Sequence, residues 1–338
     1  MSPSRRRPSG SPPTMEDVAR VAGVSHQTVS RVLNDHPNVS PKTREKVSAA
    51  IRELSYRRNP AARSLVTRSS RVIGVIISEL EQYGPASTLL GLQEAALRNG
   101  YFVSVAGLSE MTREAVLESV NHLLDQAPDG IVVVAPLDSG ADLVGGLESG
   151  VPLQVLAQGL APEGSRAARR AVAHLAGLGH TDIAHLAGPA RWTDAQQRAA
   201  GWREELQARG LPAADPMIGD WGAESGYRNG LEFDAGRFTA VFVANDQMAL
   251  GFMRALHERG LRVPEDVSVV GFDDQPEAAF FLPPLTTVRQ DYRSQGAYCI
   301  ARLLQQIPDA ADPHGPLPDP AAPQLVIRSS TAAQPARG

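Results

Sequence analysis

Residues 15–34 constrain this chain most: Met15-Glu-Asp-Val-Ala-Arg-Val-Ala-Gly-Val-Ser-His-Gln-Thr-Val-Ser-Arg-Val-Leu-Asn34. The run reads as two short helices joined by a tight turn. Thr14 caps the first helix, with Asp17 three residues on as its acidic partner. Val18, Ala19 and Ala22 give that helix one apolar face, and Gly23 supplies the turn. Ser25 is a second N-cap, and Val29, Val32 and Leu33 turn the next helix inward. His26, Gln27, Ser30 and Arg31 are then left facing out. An ordinary surface helix carries Glu and Lys pairs. Short hydrogen-bonding residues, an amide and one Arg instead suit base edges and phosphates, although a plain helical hairpin with a polar face would fit this run alone.

Ser40 and Pro41 open a third helix as cap and first residue, and Val47, Ala50, Ile51 and Leu54 form its buried stripe. Asn59-Pro-Ala-Ala-Arg-Ser-Leu-Val66 follows as a short, mildly apolar segment. Across Glu16 to Val66 the chain resembles the DNA-binding headpiece and hinge of the lac repressor family of bacterial transcription regulators. The resemblance implies that His26, Gln27 and Arg31 read base edges, while Thr28, Ser30, Asn34 and Thr43 hold phosphates or frame the helix. Thr14, Ser25, Tyr56, Asn59 and Ala62 complete the expected DNA-binding set. It further implies a hinge helix over Asn59–Val66 that forms on operator DNA, with Leu65 wedged into the minor groove.

Charge divides the chain in the same place. Residues 1–71 hold 14 Lys or Arg against 5 Asp or Glu, and the remainder 19 against 32, for a net charge of −4 over 338 residues. A basic head on an acidic body is the footprint of a polyanion binder with a separate, non-DNA body. The single cysteine, Cys299, allows no disulfide within the chain and reads as a small core residue. No apolar run reaches ~18 residues, so no membrane span is expected. Arg5-Arg6-Arg7 precede no apolar run, which excludes a secretion signal and makes the cytoplasm, on the nucleoid, the expected compartment.

Beyond the headpiece, short Val- and Ile-rich runs alternate with helical patterns. Strands are predicted at Val72–Ile77, Phe102–Ala106, Ile131–Ala135, Leu153–Ala157, Ile183–Ala187, Ala240–Ala244 and Val267–Phe272. Helices are predicted at Ala86–Asn99, Arg113–Gln126, Ala167–Leu178, Ala195–Arg209 and Gln247–Arg259. This is βα repetition, too long for one domain, and reads as two doubly wound lobes. The expected division is a disordered basic tail at 1–13, a helix-turn-helix domain at 14–58, a hinge helix and linker at 59–70, a two-lobed core at 71–330 and a tail at 331–338.

Ligands of such sheets sit beyond the carboxyl ends of the strands. Those positions hold Trp192, Asp220-Trp221, Asn245-Asp246, Asp273-Asp274 and Gln290-Asp291-Tyr292. Carboxylates, amides and flat aromatic faces together suit a polyol. Leu178–Pro189, Ala244–Gly251 and Pro283–Tyr292 extend the resemblance to the family's effector-binding core, which is similar to periplasmic sugar-binding proteins. It implies effector contacts from Arg198, Trp221, Asn245, Asp273 and Tyr292, and the position after a strand adds Trp192. Each has an alternative. Trp221 and Tyr292 could be core aromatics, Asp273 a turn cap, and Arg198 a solvated charge; Asp246 reads as a helix cap.

Two departures stand out. The family's Asp after the fourth strand is replaced by Ala157, and the segment to Arg166 is short. A ligand hydroxyl would lose an acceptor there, at roughly 1–3 kcal/mol if left unpaired. The leucine heptad tail of tetrameric family members is absent after Arg328, which implies a homodimer.

The expectation is therefore a regulator released from a pseudo-palindromic operator by a small effector, a sugar such as a galactoside, without cofactor or metal. A same-fold regulator with another effector or a corepressor is one alternative. A sugar-binding protein without gene control predicts no basic headpiece. An enzyme would need a phosphate loop, a nucleophile motif or clustered metal ligands, and the sequence has none.

Overall fold

The computed structural model describes residues 13–33, 36–56, 69–135, 144–145, 149–157, 163–308 and 321–334. Two compact units result, Met1–Ser70 and Arg71–Gly338. In the first, α1 (Met15–Ala22), α2 (His26–Leu33) and α3 (Pro41–Glu53) close around Val18, Val29 and Val47, each fully buried. The capping expected at Thr14 is present: the Asp17 carboxylate accepts from the Thr14 backbone N–H at 3.0 Å and its hydroxyl at 2.7 Å. Those bonds, with Arg20 beside them, hold the Asp17 carboxyl down at about 2. Gly23 sits at φ 64°, the left-handed turn between α1 and α2 that a Cβ would strain.

The second unit holds two sheets. Lobe 1 is a four-stranded parallel sheet in the order β2–β1–β3–β4, from β1 (Val72–Ser78), β2 (Phe102–Leu108), β3 (Gly130–Ala135) and β4 (Leu153–Ala157). Helices α4 (Tyr83–Arg98) and α5 (Arg113–Leu124) cover its two faces, which is why β1 and β3 read as unbroken apolar runs.

The chain crosses to lobe 2 at α6 (Glu163–Gly177). There β5 (Ile183–Ala187), α7 (Thr193–Ala208), β6 (Met217–Ile218), α8 (Ala223–Glu232), β7 (Ala240–Val243), α9 (Asp246–Glu258), β8 (Ser268–Asp273) and β9 (Thr286–Arg289) follow in order. The parallel strands run β9–β8–β7–β5–β6, with one further strand beyond β9. The chain then returns to lobe 1 through α10 (Tyr292–Leu304), whose Cys299, Ile300 and Leu303 join the core of β1 and β3, and comes back to pair β10 (Gln324–Val326) antiparallel to β9.

Each strand and helix predicted for the core is present, but α8, α10, β6, β9 and β10 lie outside the predicted set. α8 is polar and carries Gly226 and Gly230, a composition that reads as loop. Its glycines are there because α9 crosses it closely: a Cβ on Gly226 would sit 2.0 Å from the Met248 carbonyl oxygen. β10 is too short to show a period. The last turns of the core do not end at residue 330. The Ala332 N–H donates to Ser268 at 3.0 Å, and the Gln334 N–H to the Leu178 carbonyl at 2.9 Å. His174, His180 and His185 are structural. His180 bridges Thr239, Ser268 and Ala332, and His185 is stacked between Trp202 and Phe242.

Candidate functional site

In the first unit, the chemistry lies on α2. His26, Gln27 and Arg31 are exposed, Thr28 and Ser30 half-buried, while Val29 and Val32 point into the core. Of the four residues read from the sequence as facing out, His26, Gln27 and Arg31 are exposed, while Ser30 is half-buried. Ser25 and Thr28 form a cap: the Ser25 hydroxyl accepts from the Thr28 N–H at 3.2 Å, with the two hydroxyls 2.9 Å apart. Ser40 and Thr43 repeat this at the start of α3, at 3.2 and 2.8 Å. Helix N-termini dressed with hydroxyls are suited to phosphate oxygens. Tyr56 is half-buried and packs against the three-helix core. Asn34, Asn59, Ala62 and Leu65, with the expected hinge helix and the basic tail through residue 12, lie outside the described residues.

In the second unit, one cleft gathers all six residues singled out for effector contact: Trp192, Arg198, Trp221, Asn245, Asp273 and Tyr292. Its position follows from topology. Lobe 1 reverses its strand order beside β1, and lobe 2 reverses between β5 and β7. Loops leaving such a switch point diverge and open a crevice. Gln82, Tyr83 and Pro85 come from the first switch point, Trp192 and Asn245 from the second.

Arg198 is the centre, 3% exposed. It is no solvated charge. Its guanidinium donates to the Ala244 carbonyl, to Asp194 at 3.4 Å and to the Tyr292 hydroxyl at 3.2 Å, and lies 3.4 Å from the Asp273 carboxylate. It stacks 4.0 Å above the Phe272 ring and 5.5 Å from that of Trp221. Burial works against its charge, but Asp273, Tyr292 and Asp194 outweigh it and hold the pKa above the usual guanidinium value. Burial lifts Asp273 to about 6, against the pull of Arg198 and the Tyr292 hydrogen bond. Burial likewise raises Asp194. Tyr292 donates to Asp273 at 2.5 Å, so neither is merely a core aromatic or a turn cap.

Two details differ from expectation. Asn245, not Asp246, caps α9, accepting from the Met248 N–H at 2.9 Å; its amide donates to the Trp221 carbonyl at 3.0 Å. Asp246 instead takes the Thr287 hydroxyl at 2.6 Å and the Gln275 N–H at 2.9 Å beneath the cleft, where burial and neighbouring Asp273 push its pKa well up. Trp221 and Asp273 hold φ of 74° and 107°, conformations that non-glycine residues adopt at a cost of about 1–3 kcal/mol where a site demands them. Trp221 lies over Gly188 so closely that a Cβ there would meet its ring at 2.3 Å.

Three buried polar atoms of the cleft have no protein partner: Arg198 Nε, Trp221 Nε1 and Gln82 Oε1. Buried polar groups are almost always paired, so two donors and an acceptor in one crevice mark a place for a polar ligand. With Trp192 and Trp221 set edge to face at 5.5 Å, the walls combine aromatic faces with hydrogen-bonding tips. The sequence reading missed Gln82, Tyr83 and Asp194. The first two follow β1, a strand end left unsearched, and Asp194 sits one turn before Arg198 on α7, a spacing that could have been read as an ion pair. Among the described residues no group of acidic, His or Cys side chains is placed to hold a metal. Among the same residues no helix is long and apolar enough to cross a membrane.

Two family profiles match the chain. Residues 14–59 match bacterial regulatory proteins of the lacI family, and residues 172–331 a periplasmic binding protein-like domain. The lactose operon repressor of Escherichia coli (strain K12) is 40% identical over 304 residues, covering 87% of this chain and 84% of that protein. A crystal structure of the lac repressor dimer bound to operator and the anti-inducer ONPF superposes with a TM-score of 0.84 at 38% identity, covering 96% of this chain and 100% of that one. A complex of the transcriptional regulator CelR with cellobiose does so at 0.67 and 31%, covering 94% and 99%. With the helix-turn-helix head and the two-lobed core thus matched along nearly the whole length, the chain belongs to the lacI family of bacterial regulatory proteins.

Proposed function

We propose that this protein is a DNA-binding transcriptional repressor of a sugar-utilisation operon, working in the cytoplasm on the nucleoid. In this reading it holds a pseudo-palindromic operator as a homodimer and lets go when a small sugar enters the cleft. The observation that carries the reading is the pairing, in one chain, of an exposed His26–Gln27–Arg31 face with a cleft whose buried polar atoms await partners. Two of the similar structures are complexes with operator DNA and with cellobiose, which supports both halves.

Charge favours a neutral polyol over an anion. Arg198, the only guanidinium lining the cleft among the described residues, already faces two carboxylates, so a phosphate or carboxylate ligand would meet Asp194 and Asp273. Hydroxyls can instead accept from Trp221 Nε1 and Arg198 Nε and donate to Gln82 Oε1, with ring C–H faces against the tryptophans. Gln82 is then the acceptor that lobe 1 offers in the cleft.

The homodimer is supported by apolar side chains left exposed on both lobes. Leu90 and Leu97 share a face of α4, near which Phe102 is 70% exposed; on lobe 2, Leu250 of α9 accompanies Phe280 and Leu282, 84% and 93% exposed. Scattered exposed leucines are ordinary, but such groups on a chain similar to the lac repressor dimer favour a subunit face. A thermal-shift screen of neutral sugars, sugar phosphates and nucleobases on the full chain tests the effector class. Stabilisation by neutral sugars alone is expected. Stabilisation by phosphates or nucleobases alone would refute it.

A further inference from the structure

The geometry points to the Tyr292 hydroxyl as an internal competitor of the effector, a specificity-determining group that fills from within the chain the position a ligand hydroxyl would take between Arg198 and Asp273. This rests on the cleft being the effector site proposed above.

The Tyr292 hydroxyl has its hydrogen bonding complete. It donates to Asp273 Oδ1 at 2.5 Å and accepts from Arg198 at 3.2 Å and from Gln290 Nε2 at 3.2 Å. A polyol hydroxyl bridging a carboxylate and a guanidinium would make the same pair of bonds. The ring cannot slide away without disturbing lobe 1. It stands edge-on to Tyr83 at 6.1 Å, and a Cβ at Gly84 would lie 3.2 Å from its Cζ. The free space left among the cleft side chains is ≈ 30 Å³, against roughly 300 Å³ for a small-molecule site. A ligand hydroxyl that reaches both Arg198 and Asp273 therefore takes the place of this one. Tyr292 is the first residue of α10, the helix that carries the chain from lobe 2 back to lobe 1. Displacing its tip thus disturbs the junction at which both lobes meet.

A tethered hydroxyl competes at high effective concentration, so its removal favours the ligand. It also sorts ligands. Those with a hydroxyl able to replace it at Asp273 recover what is lost, and those without one do not.

The test is calorimetric titration of methyl β-galactoside, cellobiose and their ring-deoxy analogues into full-length wild type, Tyr292→Phe and Gln290→Leu, with folding checked by thermal melting. Binding of at least one sugar by wild type is expected, with Tyr292→Phe binding it about tenfold more tightly. Gln290→Leu, which removes one bond to the hydroxyl, should shift affinity the same way by less. The gain should vanish for the deoxy analogue lacking the replacing hydroxyl, a pattern that a change in general packing would not produce. Equal or weaker binding by Tyr292→Phe, with wild type still binding, would overturn the competitor role and leave the effector reading intact. No binding by any of the three proteins would overturn the sugar reading and this inference with it.

Discussion

Asp273 carries the most legible pH dependence of the molecule. Its carboxyl sits at about 6 when folded, lifted first by burial, with Arg198 and Tyr292 opposing and Asp194 adding to the rise. Hydrogen bonds from ligand hydroxyls favour the ionised form. Effector affinity should therefore be constant above pH 7 and fall as the pH drops through 6, by up to tenfold per unit, in calorimetric titrations; a flat profile from 7.5 to 5 would remove Asp273 from the binding set. The opposite group is His185. Burial lowers its pKa from 6.5 to about 4, so the unfolded chain takes up a proton that the folded one refuses. Its sign is plain: stability is full above pH 6.5 and is lost as pH falls toward 4, by about 3 kcal/mol. Asp273 works against this below pH 6, because the folded chain binds its proton first. His185→Phe should flatten the acid limb of a urea-denaturation series; an unchanged limb would show that other groups dominate it. At this scale the sequence revealed which residue types converge, because strand ends are predictable places. It hid how they pair. That Asn245 caps while Asp246 lies underneath depends on β8 and β9 passing below α9, which no local pattern encodes.

Among elements, α2 and the β5–α7 connection carry the function. α2 was readable because its buried valines recur at helical spacing and force His26, Gln27 and Arg31 outward. Arg31→Ala and Gln27→Ala should each weaken binding to the preferred duplex by about 1–3 kcal/mol while sparing non-specific binding, measured by fluorescence anisotropy at fixed salt. Equal losses on all duplexes would make them phosphate contacts. After β5, Gly188→Ala drives a methyl group into the Trp221 ring, 2.3 Å away. It should abolish the thermal shift given by the effector, yet leave anisotropy on DNA measurable, because the headpiece is a separate unit. Where elements were overlooked, the cause was composition. α8 buries its Gly226 and Gly230 against another helix rather than showing an apolar stripe, and β10 borrows its structure from β9.

In the proposed reading the whole molecule couples two sites that share no residue: a basic helical head for DNA and an acidic two-lobed body for a ligand. Chain crossings at α6 and α10 stitch the lobes together. Dimerisation, in the same reading, sets how two heads are spaced. Phe280→Asp with Leu282→Asp should turn the dimer into a monomer in sedimentation analysis and weaken binding to a two-half-site duplex far more than to a single half-site; a dimer that persists would place the subunit face elsewhere. The central claim is that sugar in the cleft and operator on α2 oppose each other through one coupling free energy. Selection of a preferred duplex from a random pool, followed by anisotropy titration at physiological salt with and without the sugar found to stabilise the protein, measures it directly. The account predicts at least a ~10³-fold preference over scrambled DNA and a loss of that affinity when the sugar is added. Absence of any sequence preference, or an affinity the sugar leaves unchanged, would contradict it.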